Sequence, residues 1–256
     1  MSGEEPTTAF GLLGSVAAWD RERNLRLGGS RRRTVLAALM LEVGRPVQTE
    51  QLIDAVWNDA PPATARKALQ VHVLELRRSF AGTAGFDLRT VDCGYELKVE
   101  SDRIDLHRFR GLVARARNSP PELAAGLLRE ALELRRGPAL ADLAGRAWAD
   151  RVARSIEEEV LTAIEWRIGA DLELGRGAEL VAELTALAAE HPLRELLRGQ
   201  LMLALHRSGR TAEALREFRL LREQLVEEVG IEPGARMQRL HQGILNGDPD
   251  LIGGSG

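Results

Sequence analysis

Gly175-Arg176-Gly177-Ala178-Glu179-Leu180-Val181-Ala182-Glu183 is followed 34 residues later by Gly209-Arg210-Thr211-Ala212-Glu213-Ala214-Leu215-Arg216-Glu217. The Gly-Arg pair, an Ala-Glu pair and the closing Glu are the same in both. One offset shared by all of them, in a Leu- and Ala-rich region, points to a repeated helix–turn–helix unit.

A period of 34 is that of the tetratricopeptide unit. Such units stack to bury a shared core and leave a concave face for a partner. Breaks at Ser119-Pro120-Pro121, Gly137-Pro138, Gly175, Pro192, Gly209 and Glu232-Pro233 divide the second part of the chain. They leave apolar-periodic segments over 105–117, 121–136, 145–174, 177–190, 193–207, 211–228 and 234–245, all read as helices.

The first hundred residues read differently. Phe10 to Trp19 and Leu25-Arg26-Leu27 have strand character, with a turn at Asp20 to Asn24. Ser30 is placed to cap a helix to about Glu42, which Gly44 and Pro46 stop. Thr49 is placed to cap a second helix, with Leu52, Ile53, Val56 and Trp57 on one face. After Pro61-Pro62 a third helix is expected from about Ala63 to Phe80, with the stripe Leu69, Val73, Leu76, Phe80. Phe86–Val91 and Tyr95–Val99 form a hairpin turning at Asp92-Cys93-Gly94. Strands, three helices and a hairpin, in that order, make a winged helix-turn-helix of the response-regulator type with a leading sheet. The expected fold is therefore mainly α: a winged helix with small sheets, then an all-α tetratricopeptide-like domain. Expected boundaries are a loose N-terminus over 1–9, the winged helix over 10–104, the helical domain over 105–249 and a flexible end over 250–256.

Charge narrows the function. The chain carries 35 Lys and Arg against 38 Asp and Glu, a net charge of −3, so it has no bulk basic field for nucleic acid. Residues 1–104 carry 14 of each sign, so a DNA surface there is a local patch. The single cysteine, Cys93, excludes a disulfide framework and a Cys-based zinc site. The longest wholly apolar run, Val35 to Leu41, is too short for a membrane span. With no basic stretch followed by an apolar core at the N-terminus, a cytoplasmic protein is expected.

No catalytic signal stands out. The histidines His72, His107, His191, His206 and His241 never fall at metal-ligand spacing, and no phosphate loop or nucleophile elbow is present. No cofactor, no metal and no enzymatic activity are expected. Carboxylates alternate with Arg, as in Arg216-Glu217 and Arg222-Glu223, which reads as a solvated helix face.

DNA recognition has more to stand on. Opposite the apolar stripe of the third helix lie Lys67, Gln70, Val71, Leu74 and Arg78, flanked by Arg66 and Arg77. Lys and Arg suit guanine or phosphate, and Gln pairs bidentately with adenine. Arg31-Arg32-Arg33 sit in the first turn of a helix, where each cation opposes the dipole by roughly 0.3–1 kcal/mol. Either a phosphate backbone compensates them or they simply reach water. Arg89 marks the wing, with Thr90 beside it. Val71 and Leu74 are apolar where a polar face is expected; they either meet thymine methyls or pack on something else. Glu75 adjoins that face as an acid.

With both halves in view, the chain resembles the actinobacterial (Streptomyces) antibiotic regulatory protein family. The resemblance covers about residues 10–249. It is carried by Phe10-Gly-x-Leu-Gly14, Leu52-Ile-Asp-Ala-x-Trp57, Pro61-Pro-Ala-Thr-Ala-Arg66, Leu69-Gln70 and Leu76-Arg-Arg78. In the second half it rests on Arg136-Gly-Pro-Ala-Leu-Ala141, His191-Pro-Leu-Arg-Glu195, Ser208-Gly-Arg210, Gly230-Ile-Glu-Pro-Gly234 and Gly247-Asp-Pro249. The resemblance implies a winged-helix domain joined to a bacterial transcriptional activation domain. It further implies an activator of a secondary-metabolite gene cluster that binds direct repeats in double-stranded promoter DNA. Such proteins pair as homodimers on DNA and recruit RNA polymerase through its sigma factor. The family usually has Ser-Arg where this chain has Leu74-Glu75, a polar residue at Val71, and proline at Cys93. Its operator therefore does not transfer to this chain. The alternative is a protein–protein adaptor whose winged helix has lost DNA affinity.

Overall fold

The computed structural model describes residues 10–20, 23–58, 60–82, 85–248 and 251. The expected loose N-terminus over 1–9, the expected flexible end over 250–256 apart from Leu251, and the middle of the turn after Asp20 lie outside the described residues. The chain divides into two compact units, Met1–Ala114 with Glu130–Leu161, and Arg115–Arg129 with Thr162–Gly256.

In the first unit, β1 (Phe10–Gly11), β2 (Ala17–Asp20) and β3 (Arg23–Asn24) make an antiparallel sheet in that order. The third strand falls earlier than the Leu25–Leu27 expected from sequence. Pairing continues past it through the Leu25 N–H, which donates to Ala18 O at 2.8 Å. Three helices follow: α1 (Ser30–Leu41), α2 (Thr49–Trp57) and α3 (Ala65–Ser79), each packed on the other two. Their shared core includes Leu36, Leu39, Met40, Leu52, Leu69, Val73 and Leu76, all buried.

The wing is β5 (Asp87–Val91) and β6 (Gly94–Lys98), as the alternation predicts. A strand that sequence patterning does not reveal, β4 (Pro46–Gln48), completes a sheet of order β4-β6-β5. Val47 pairs with Tyr95 and Gln48 with Gly94. This strand moves the cap of α2. The Thr49 N–H continues the pairing to Cys93 O at 3.0 Å, and Gln48 caps the helix instead, in a reciprocal box with Gln51. Ser30 is likewise not a cap. Gly29 holds that position, and the Ser30 hydroxyl accepts a hydrogen bond from Arg146 Nη2 at 2.6 Å.

Helix α4 (Asp105–Ala116) and the segment after α5 (Pro121–Glu133) complete this unit. Leu12 and Leu13 N–H both donate to the buried Asp105 carboxylate, and the Arg136 N–H donates to Leu13 O at 2.8 Å. Gly11 lets the Arg136 guanidinium and the Trp19 ring lie close beside this segment: a Cβ there would fall 2.0 Å from Arg136 Nη2, and that side chain would have to shift. The Arg136–Ala141 motif is thus packed on the leading sheet.

The second unit holds the C-terminal part of α6 (Ala147–Glu173), then α7 (Gly177–Glu190), α8 (Glu195–Arg207), α9 (Thr211–Glu228) and α10 (Ala235–Asn246). Helix α8 packs against α7, α9 and α10. The 34-residue echo is a repeated helix stop. Gly175 and Gly209 take φ of 76° and 74°, a left-handed backbone that only glycine adopts without strain. Arg176 N–H then reaches back to Asp171 O and Arg210 N–H to Leu205 O, closing the same capping motif after α6 and α8. Among the described residues no helix is long and apolar enough to cross a membrane.

Candidate nucleic-acid interface

Helix α3 is amphipathic in the register its sequence predicts. Leu69, Val73 and Leu76 are buried, while Arg66, Lys67, Gln70, Val71, Leu74, Arg77 and Arg78 are exposed. Lys67, Gln70, Val71 and Leu74 are spaced three, one and three apart, so they form one outward stripe. Val71 is 55% and Leu74 46% exposed. Lys67 and Gln70 have no hydrogen-bond or ion-pair partner among the described residues.

The cations around this stripe are not equivalent. Arg66 pairs with Glu50 in the first turn of α2. Arg77 turns toward the wing: its Nε donates to Leu88 O at 2.8 Å and its Nη2 to Thr90 Oγ1 at 2.9 Å. This guanidinium ties the end of α3 to β5 rather than facing outward. Arg78 donates to Glu75 Oε1 at 2.7 Å. Arg89 is held by Asp87 within the wing.

The arginine triplet of α1 splits three ways. Arg31 stands over the Trp57 ring at 5.9 Å and is exposed. Arg32 lies 3.8 Å from Glu75 Oε2, on α3. Arg33 is half-buried, pairs with Asp142 at 2.6 Å and donates to Gly28 O at 2.9 Å. The dipole penalty expected at this helix start is therefore offset within the protein, by Asp142 and Glu75. Sequence spacing singled out the triplet but could not reveal Asp142, whose Oδ1 also accepts the Val16 N–H at 2.7 Å.

His72 faces the same neighbourhood from α3, stacked on Trp57 with centroids 6.2 Å apart. Burial lowers its pKa first, and the Arg32 and Arg31 charges lower it further. The ring is thus held neutral near pH 7, and the local positive field belongs to the arginines.

Glu75, which sequence reading set against the DNA face, is bracketed by Arg78 and Arg32. Its charge is matched before any partner arrives. Cys93 is exposed at the turn of the wing, and Tyr95 is buried behind it. Among the described residues, no group of three His, Cys, Asp or Glu is placed to hold a metal ion.

A three-helix unit with a strand-built wing, an outward stripe bearing Lys67 and Gln70 on its last helix, and a helical domain following in sequence define a winged-helix transcriptional regulator. The profile described as "Transcriptional regulatory protein, C terminal" matches residues 23–95, and that described as "Bacterial transcriptional activator domain" matches residues 104–245. The chain belongs to the Streptomyces antibiotic regulatory protein family. It is 40% identical to Regulatory protein DnrI of Streptomyces peucetius, over 94% of this chain and 93% of that one. It is also 40% identical to Regulatory protein AfsR of Streptomyces coelicolor, covering 97% of this chain but only 25% of the larger protein. A solved structure, Mycobacterium tuberculosis EmbR in complex with low affinity phosphopeptide, matches with a TM-score of 0.88 at 34% identity. That match covers 96% of this chain and 66% of the EmbR chain.

Proposed function

We propose that this chain is a sequence-specific DNA-binding activator of a secondary-metabolite gene cluster, working in the cytoplasm. In this reading residues 10–104 bind DNA and residues 105–249 form the activation domain. Helix α3 enters the major groove, where Lys67 and Gln70 meet base edges. Arg31, Arg66, Arg78 and Arg89 hold phosphates, with Arg32 in support. Arg33 and Arg77 position the elements that carry these contacts. The chain binds promoter direct repeats as a homodimer, and the helical domain recruits RNA polymerase through its sigma factor. Family membership supports this reading. The observation that carries it is the outward stripe of α3, where Lys67 and Gln70 stand exposed beside a rim of arginines.

Fluorescence anisotropy tests it, with the purified chain on duplexes from promoters next to its own gene, a scrambled duplex and two salt concentrations. Phosphate contacts make affinity fall steeply with salt, and base reading separates the two duplexes. Lys67→Ala with Gln70→Ala is expected to weaken specific binding more than non-specific binding. Equal loss on both duplexes removes base reading from these residues.

A second reading, the protein–protein adaptor, is favoured by one observation, the exposure of Val71 and Leu74. It predicts no binding to any promoter at low salt. It also predicts a large gain in DNA affinity from Leu74→Ser with Glu75→Arg.

A further inference from the structure

We infer that Val71 and Leu74 read thymine C5-methyl groups, so that the preferred duplex carries A·T pairs beneath the middle of α3. The inference rests on the DNA-binding reading above and adds what the surface reads.

Isolated apolar side chains on a protein surface are ordinary. These two are one helical turn apart, adjacent on a single face, and central in the stripe. Lys67 lies toward the N-terminal end, with Arg66 beside it, and Arg78 toward the C-terminal end; Arg31 stands over Trp57, which stacks on His72 of the same helix. An apolar centre inside a cationic rim is complementary to a polyanion that displays apolar groups. In the major groove of DNA the thymine methyl is the apolar group on offer. Gln70 adds a second constraint, because its amide suits the adenine N6 and N7 edge. An A·T pair shows that edge on one strand and the methyl on the other. Gln70 beside Val71 therefore fits consecutive A·T pairs better than any run of G·C.

Glu75 is the group that would oppose this docking. Its carboxylate is paired with Arg78 at 2.7 Å and lies 3.8 Å from Arg32, so its charge is offset and the three groups together keep a net positive charge toward the phosphate backbone.

The test starts by selecting duplexes from a randomised library with the full chain. Selected duplexes are then resynthesised with deoxyuridine in place of thymine, one position at a time. Deoxyuridine keeps the pairing and removes only the methyl. Anisotropy is expected to show about a fourfold loss of affinity at each contacted methyl, equivalent to about 0.8 kcal/mol. Val71→Ala and Leu74→Ala, made separately, should each erase the preference at a different position while leaving thermal stability unchanged, since both side chains are exposed.

Equal affinity for thymine and deoxyuridine duplexes, with specific binding retained, overturns the inference and leaves the DNA reading intact. An undiminished methyl preference in both variants also overturns it, because other residues then do the reading. Failure to retain any duplex at low salt removes the DNA reading itself. The apolar pair then belongs to a protein partner.

Discussion

The carboxylate of Asp105 accepts the backbone N–H of Leu12 at 2.7 Å, across 93 residues of sequence. Its second oxygen accepts the Leu13 N–H at 3.1 Å and a hydrogen bond from Arg136 Nη2 at 3.2 Å. One buried side chain at the start of α4 thus holds the leading sheet and the Arg136–Ala141 segment together. Asp105→Ala takes this acceptor from three backbone amides, those of Leu12, Leu13 and Leu106. An unsatisfied buried amide costs about 1–3 kcal/mol, so a loss of about 3 kcal/mol or more is expected in urea unfolding.

Burial lifts the Asp105 carboxyl above its ordinary value of 3.8, against the opposing pull of the Leu12 amide, Arg136 and the Leu13 amide. The folded chain therefore holds this proton more tightly than the unfolded chain does. Stabilisation from that proton is complete below about pH 3.8 and is lost as pH climbs through the raised folded value. Asp105→Asn has no proton to lose. The stability of the natural chain relative to this variant should fall with rising pH across that window and then level off. Urea midpoints for both proteins across the acid range check the slope, and a difference that grows with pH contradicts it.

Arg77 hydrogen-bonds the carbonyl of Leu88 and the hydroxyl of Thr90, fixing the wing against the end of α3. Arg77→Ala should lower stability by about 1 kcal/mol and weaken specific and scrambled DNA by the same factor. Arg77→Lys should not rescue it, because an ammonium lacks the fork that reaches both acceptors. A selective loss on the specific duplex would instead make Arg77 a base reader.

Gly94 pairs with Gln48 where β6 meets β4, and a Cβ there would fall 2.0 Å from Val47 O. Backbone, not a flexible side chain, is in the way. Gly94→Ala should therefore separate the two strands and cost about 2 kcal/mol or more. Cys93→Ala, one residue earlier and exposed, should leave the thermal midpoint unchanged.

Local order in this protein is legible wherever one period governs it. The stripe Leu69, Val73, Leu76 oriented α3 correctly, and with it the outward placement of Lys67 and Gln70. The glycines of the echo marked real helix stops because the left-handed backbone requires that residue. What spacing could not give are partners distant in sequence. Asp142 for Arg33, Asp105 for Leu12 and the strand Pro46–Gln48 for β6 all lie beyond any local period. Nor did the alternating charges tell buried pairs from solvated ones. Glu217, read as part of a solvated face, accepts from Arg198, which is only 7% exposed.

Glu75 pairs with Arg78 on its own helix and approaches Arg32 on α1, so part of the cationic rim is engaged internally. Glu75→Gln should release both arginines toward phosphate. Affinity should rise on specific and scrambled duplexes alike, and the salt slope should steepen by about 1. Unchanged slopes would mean that neither arginine reaches the backbone.

The two arginines of the echo occupy equivalent positions with unequal partners. Arg176 reaches Asp171, which is 2% exposed and also paired with Arg129 and Arg167. Arg210 makes a forked pair with Glu213 on the surface, at 2.7 and 2.8 Å. Removing the buried charge takes one partner from three guanidiniums, although Arg167 keeps Glu183 and Arg129 and Arg176 are each 44% exposed and recover some hydration. Asp171→Asn should therefore destabilise by about 3 kcal/mol, the lower end of what breaking a buried pair costs. Glu213→Gln removes a solvent-screened pair and should leave the urea midpoint where it was. Equal effects from the two substitutions would show that burial does not distinguish the pairs, and that the repeat alone sets their worth.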